Sequence, residues 1–243
     1  MKQLLVAGKL STGKKETLRA EEFHYLCRVR RSKKGESIEL SDSTSTRYSC
    51  KISEIMEDCC IIEIGEILER KVRPYSIHLY LCLCKGKKQD LMIRQATEAG
   101  SDSITLLDST YSQVKYVKGS KEDHKYDRWR KIIKEAQQQS GSSVNTILKP
   151  FISFQDLPEI QNNRSSGFFC HQEKMGENSL DELKNNCDEI HLVIGSEGGL
   201  STSEIEIMKN KGFSSLYLGE SVLRAETASL FALAVLIATM EII

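Results

Sequence analysis

The segment from Ile190 to Met240 constrains this chain most, because it carries two strand, loop and helix units in direct succession. The first reads IHLVIGSEGGLSTSEIEIMKNKG: an apolar run of strand length from Ile190 to Ile194, the loop Gly195-Ser196-Glu197-Gly198-Gly199, then a helix. Three glycines in so short a loop imply a backbone that turns where side chains would clash, or that lets a ligand come against it. Ser201 and Glu204 form a capping box that sets the helix start, and Gly212 suits its end. The second unit, SSLYLGESVLRAETASLFALAVLIATMEII, repeats the plan: a short strand ending at Gly219, a loop with Arg224 and Glu226, and a helix apolar on nearly every face. Two such loops at the carboxyl ends of neighbouring strands predict an α/β sheet with a ligand crevice at that edge.

Lysine plus arginine equals aspartate plus glutamate, 34 each, so no global field draws the chain to nucleic acid and any such contact must come from local patches. The eight cysteines contain no CxxC pair. Cys59 and Cys60 are adjacent, and Cys82 and Cys84 are expected to share a strand face. That is not zinc spacing, the five histidines form no ligand pattern, and free buried thiols in a reducing cytoplasm are expected, with no metal. The one long apolar segment, Ala228 to Met240, falls short of bilayer length and reads as a buried helix, so no membrane span is expected.

From Met1 to about residue 72, short runs of Ile, Tyr and Val alternating with polar residues, separated by Gly35 and the SDSTST turn, predict a small antiparallel β-barrel that includes EEFHYLCRVRRSKKG as a strand. A basic cluster lies within it: Arg28, Arg30, Arg31, Lys33 and Lys34, with Arg47 and Lys51 beyond the next turn. It is either a solvated surface or a set of phosphate contacts. Residues near Arg70 to Tyr75 read as a linker to a second domain, 73–243. There IHLYLCLC is a strand, and Lys85-Gly86-Lys87-Lys88 stands at its carboxyl end as a candidate anion site without Walker spacing. The helix KQDLMIRQATEAG, with Leu91, Ala96 and Ala99 on one side, and the strand SITLLDS complete a βαβ unit. A lysine-rich loop from Lys115 to Lys125 precedes a helix capped by Asp127, with Trp129, Ile132, Ile133 and Ala136 as its core stripe. A strand at Gly167 to His171 and a short helix near Leu180 fill the rest. His171, at that strand's end, is read as an ordinary polar residue, with proton transfer as the alternative.

IGSEGGLSTSEIE followed by LYLGESVLRAETASL resembles the IGPEGG and LRAETA signature of the RsmE family, SPOUT-type enzymes that methylate N3 of a uridine in 16S ribosomal RNA with S-adenosylmethionine. RWRKIIKEAQQQSG and KQDLMIRQATEAG are similar to further family segments, although Gly141-Ser142-Ser143 stands where the family continues with an Arg, and Ser196 replaces its proline. FHYLCRVRRSKKGE resembles, more loosely, a segment of the family's N-terminal PUA-like barrel, which helps grip RNA. The resemblance implies a C-terminal parallel sheet threaded into a trefoil knot, a homodimer with the last helix in its interface, and 16S rRNA or the small ribosomal subunit as partner. It implies S-adenosylmethionine at Ile194, Gly195, Glu197, Gly198, Gly199, Leu218, Gly219, Leu223, Ala225 and Thr227, with RNA contacts at Arg28, Arg30, Arg31, Lys33, Lys85 and Lys88.

Methyl transfer from a sulfonium is an in-line displacement that requires donor and acceptor to be held in near-attack geometry. Uracil N3 carries a proton, so a base must take it or a cation must stabilise the imidate. Arg224 is the candidate for the charge, since a guanidinium stays charged and forks bidentately. Glu226 is the candidate proton acceptor, with orientation of Arg224 or binding of helix amides as its other reading. Glu197 is expected to pair with the methionyl amine or to orient its loop. Two alternatives stay open from the sequence: methylation of another RNA nucleotide, and an RNA-binding assembly factor that has lost catalysis.

Overall fold

The computed structural model describes residues 4–44, 46–69, 73–115, 123–160, 164–175, 180, 183 and 187–242. Residues 70–72, within the expected linker, lie outside these, as do 116–122 of the lysine-rich loop and most of the segment around Leu180. The chain forms two compact units, one of Met1–Val72 with Gln138–Ser143, the other of Arg73–Gln137 with Val144–Ile243.

The first unit is a curled five-stranded sheet of order β1-β3-β4-β5-β2: β1 (Leu4–Leu5), β2 (Lys15–Arg19), β3 (Ser37–Ser41), β4 (Arg47–Ile55) and β5 (Cys59–Ile67). β4 and β5 alternate buried and exposed residues, as expected of a sheet with one covered face. The core holds Leu18, Leu40, Ile52, Ile62 and Ile64. Two sequence expectations fail here. β1 runs parallel to β3, so the sheet is not purely antiparallel. The segment after Arg19 is helical, α1 (Ala20–Phe23) running into a π-helical turn over His24–Val29. Phe23 and Leu26, at helical spacing, are its buried residues, and that pairing outweighs the strand-like alternation of the run.

The second unit is a six-stranded parallel sheet of order β11-β9-β10-β6-β7-β8. Its strands are β6 (Ser76–Cys82), β7 (Ser103–Leu107), β8 (Ile147–Leu148), β9 (Ser165–His171), β10 (Glu189–Ile194) and β11 (Phe213–Tyr217). Central β10 is buried from Ile190 to Ile194, a run apolar except for His191, as suits a strand covered on both faces. Leu79, Leu81, Ile190, Leu192 and Phe168 point to one layer, packed with α2 (Lys87–Glu98), α3 (Asp123–Ser140) and α5 (Ala225–Ile242). Tyr80, Cys82, Val193 and Phe169 point to the other, under α4 (Thr202–Asn210).

Local expectations meet mixed outcomes. The Ser201–Glu204 capping box is present at the start of α4. Cys82 ends β6, so Cys84 lies beyond the strand, although both are buried. On α2 the core face is Met92, Ile93 and Ala96, and Leu91 is exposed. α3 starts at Asp123, so Asp127 lies inside it and pairs with Arg130 at 3.0 Å instead of capping. Trp129 is buried in the core and donates its ring N–H to Asp90 Oδ1 at 3.1 Å.

Candidate active site

The two glycine-bearing loops are not on neighbouring strands. β9 lies between β10 and β11, pairing in parallel with both. The crevice is therefore built from three strand ends, and the middle one contributes Cys170, His171 and Gln172. Those residues escape sequence reasoning because β9 precedes the signature by a long stretch and only sheet order brings it in. The sole signal was His171 at a predicted strand end.

The cavity holds about 620 Å³, within the range of sites that enclose a small organic ligand. Its walls include Ile194, Gly195, Glu197, Gly198 and Gly199 from the first loop, and Leu218, Gly219, Leu223, Arg224 and Ala225 from the second. Of the residues expected to hold the cofactor only Thr227, exposed on the first turn of α5, is not part of the lining. Sequence reasoning passed over Ser221, Val222, Leu200 and Ala228, which also line it.

Backbone geometry explains the glycines that matter most. A Cβ on Gly198 would lie 2.7 Å from Tyr111 Cβ, so a side chain there would collide with the turn after β7. Gly219 has φ +119, a conformation that L side chains rarely adopt. Ser196, buried, closes the first loop by accepting from the Gly199 N–H at 2.9 Å through its carbonyl.

Electrostatics in the first loop centre on Glu197. Its Oε1 accepts from the Lys88 ammonium at 3.1 Å and from the Lys85 backbone N–H at 3.2 Å. Burial alone would raise its pKa. Its own amide, the Lys88 ammonium and the Lys85 amide outweigh burial and hold the carboxyl below the usual range. Lys88, expected on RNA, thus stands in the cavity wall and neutralises Glu197. Next to this pair the buried Cys84 thiol is pushed up to about 12 by burial, with the Glu197 and Glu226 carboxylates adding to it, so it stays protonated.

Arg224 and Glu226 end up in different places. Arg224 is exposed at the cavity wall, and among the described residues no ion pair or hydrogen bond engages its guanidinium. Its carbonyl accepts from the Ala228 N–H at 2.8 Å and so caps α5. Glu226 is half-buried and off the lining, and its Oε2 has no hydrogen-bond partner among the described residues. His171 lines the cavity, with its Nδ1 3.1 Å from the Glu173 backbone nitrogen and 3.4 Å from the Glu173 carbonyl oxygen.

In the first unit the basic cluster is exposed on and after the π-helical turn. Arg28 reaches the Glu57 carbonyl at 3.1 Å and stacks over Phe23 at 5.7 Å, while Arg30 pairs with Glu36 at 3.0 Å. Arg31, with φ +57, and Lys33 present their side chains to solvent.

Residues 71–237 match the family model of the RNA methyltransferase domain, and residues 18–65 that of the RNA methyltransferase PUA domain. Over 203 residues, 83% of this chain and 85% of the relative, the sequence is 31% identical to the ribosomal RNA small subunit methyltransferase E of Aquifex aeolicus. The chain belongs to this family of RNA methyltransferases. A Borreliella burgdorferi member, ribosomal RNA small subunit methyltransferase E 2, is 29% identical over 91% of this chain and 90% of its own length. Among solved structures, a putative methyltransferase from Legionella pneumophila in complex with the bound cofactor SAM superposes with a TM-score of 0.84 at 27% identity, covering 98% of this chain and 97% of that one. The family member from Neisseria gonorrhoeae shares the fold, with a TM-score of 0.86 at 21% identity.

Proposed function

We propose that this protein methylates N3 of one uridine in 16S ribosomal RNA of the small subunit, with S-adenosylmethionine as donor. The observation that carries the reading is the cavity of about 620 Å³ at three parallel strand ends, with glycine backbone on one wall and the unpaired Arg224 on another. The residues present suit the donor. Gly195 and Gly219 bring backbone without side chains to the cavity, where adenine and ribose edges can approach it, while Ile194, Leu218 and Leu223 give an apolar wall for a flat ring. Glu197, held ionised, offers a carboxylate to a cationic group.

When bound, the cofactor supplies an electrophilic methyl group. The chain's own residues position it and manage charge at the acceptor. Arg224 stabilises the negative charge that develops on the uracil carbonyls as the N3 proton leaves to water, a service available because no other described group competes for it. Lys88 fixes Glu197 and with it the first loop. Glu226, off the lining in the first turn of α5, places its carboxylate near the positive end of the helix that follows Arg224. The first unit grips phosphates through Arg28, Arg31 and Lys33, on and after its π-helical turn, which makes binding salt-dependent.

The reading includes a trefoil knot in the second unit, residence in the cytoplasm and a homodimer. α5 buries Ala232, Leu233 and Leu236 and leaves Leu230 and Phe231 exposed at 39% and 48%, which supports a partner surface on its outer face. The test is nucleoside mapping by mass spectrometry after incubation of purified protein and S-adenosylmethionine with small subunits lacking the modification. One 3-methyluridine in 16S rRNA is expected. A ribose-methylated or C5-methylated product, or no transfer, refutes the reading.

A further inference from the structure

We propose that the Tyr111 ring is a stacking platform for an unpaired base of the RNA substrate, set beside the glycine loop that walls the cavity. The proposal rests on the reading of the cavity as a methyltransferase site and adds a substrate-positioning residue to it. Tyr111 is 51% exposed, next to exposed Thr110, in a turn whose Ser109 and Ser112 are buried. The turn is held firmly. The Thr110 N–H donates to Glu204 Oε1 at 2.6 Å, the Ser112 N–H donates to the Ser109 carbonyl at 3.1 Å, and Lys115 donates to the same carbonyl at 2.6 Å.

Glu204 joins this turn to the cofactor loop, because its other oxygen accepts from the Ser201 N–H at 2.7 Å at the start of α4. The turn also meets the loop directly: a Cβ on Gly198 would lie 2.7 Å from Tyr111 Cβ and 3.3 Å from its carbonyl oxygen. An aromatic ring is thus shown to solvent on a fixed backbone one residue away from the cavity wall. Such a side chain loses little freedom on binding, unlike a ring on a loose loop tip. N3 of a paired uracil is blocked by its partner base, so the target must be unstacked, and a π-face close to the cavity offsets part of that cost. Stacking tolerates any base, so Tyr111 acts on position and not on sequence choice.

Four variants test this against unmodified small subunits. Tyr111→Ala and Tyr111→Leu are expected to lower kcat/KM for RNA about 10- to 100-fold, the span of one lost base stack, while Tyr111→Phe stays within about threefold of wild type. Affinity for S-adenosylmethionine, by calorimetry, is expected to stay within about twofold in all of them. Wild-type rates in Tyr111→Ala overturn the proposal, and so does a parallel loss of cofactor affinity, which marks Tyr111 as mere support for Gly198. The fourth variant, Tyr111→Trp, separates this proposal from the functional reading. The chain's one native Trp, Trp129, is buried, so an exposed indole at 111 gives new emission that a stacked base quenches. Quenching by 16S rRNA without any methyl transfer leaves the platform standing and sinks the reaction. Transfer without quenching does the reverse.

Discussion

Lowering the pH from 7 to 4.5 should destabilise the sheet that carries the cavity through His191. This side chain, on β10 between β9 and β6, is 6% exposed and lies four residues before the first cofactor loop. Its Nδ1 lies 3.1 Å from the Tyr80 hydroxyl, its ring centroid 5.1 Å from that of His78 and 6.5 Å from that of Phe213. Burial, then the charges of His78 and Lys149, pull its pKa from 6.5 down to about 4. The Glu189 carboxylate, 3.6 Å from Nε2, favours the proton, but it is 56% exposed and water screens its pull, so burial wins. The native state therefore binds this proton less readily than the unfolded chain. The associated stability is fully present above pH 6.5 and is lost as pH falls toward 4. A displacement of that size is worth roughly 3 kcal/mol at about 1.4 kcal/mol per pH unit, of which about 2.5 kcal/mol is gone by pH 4.5. His78, also lowered by burial, acts in the same direction. The assay is urea unfolding at a series of pH values, followed by Trp129, which sits in the core of this unit. Wild type should lose about 2.5 kcal/mol more than His191→Gln between pH 7 and 4.5, whatever the two variants' stabilities at pH 7. Equal losses refute the argument, because every other titrating group is common to both.

Arg224→Ala should cut turnover at least about 100-fold, the scale of one lost charge-stabilising group, with cofactor affinity nearly unchanged in calorimetry; equal losses in both would remove Arg224 from the acceptor side. Glu204→Ala strips the acceptor from the Ser201 and Thr110 amides and should cost about 2–4 kcal/mol in denaturant unfolding, since an orphaned buried amide such as that of Ser201 costs about 1–3 kcal/mol and that of exposed Thr110 less. Gly198→Ala forces the 2.7 Å clash with Tyr111 and should weaken S-adenosylmethionine binding about tenfold, matching an overpacking cost of about 1–3 kcal/mol.

Much of this was legible where chemistry is local. The capping box at Ser201 and Glu204 depends on two residues three apart, and it forms as read. From Ile190 to Ile194 the β10 run is apolar except for His191 because both its faces are covered, which a single strand's composition already records. The π-helical turn at His24–Val29 was misread because a short run of mixed apolar residues fits either period, and Phe23 and Leu26 reveal the helix only once their shared burial is known. Leu91 failed for a related reason: the pattern allowed several faces of α2, and contact with α5 and the sheet selected Met92 and Ile93.

By itself, then, the sequence determined most strands and helices of the second unit, though not β8, together with the glycine loops and the presence of Arg224 beside them, because backbone propensity, capping and close approach act over a few residues. Only the tertiary structure decided the sheet order. Inserting β9 between β10 and β11 brought His171 into the cavity, and pairing β10 with β6 brought Glu197 to Lys88, while Glu226 was left outside the wall. Strand order is a matter of which distant edges pair in three dimensions, and no local periodicity encodes it.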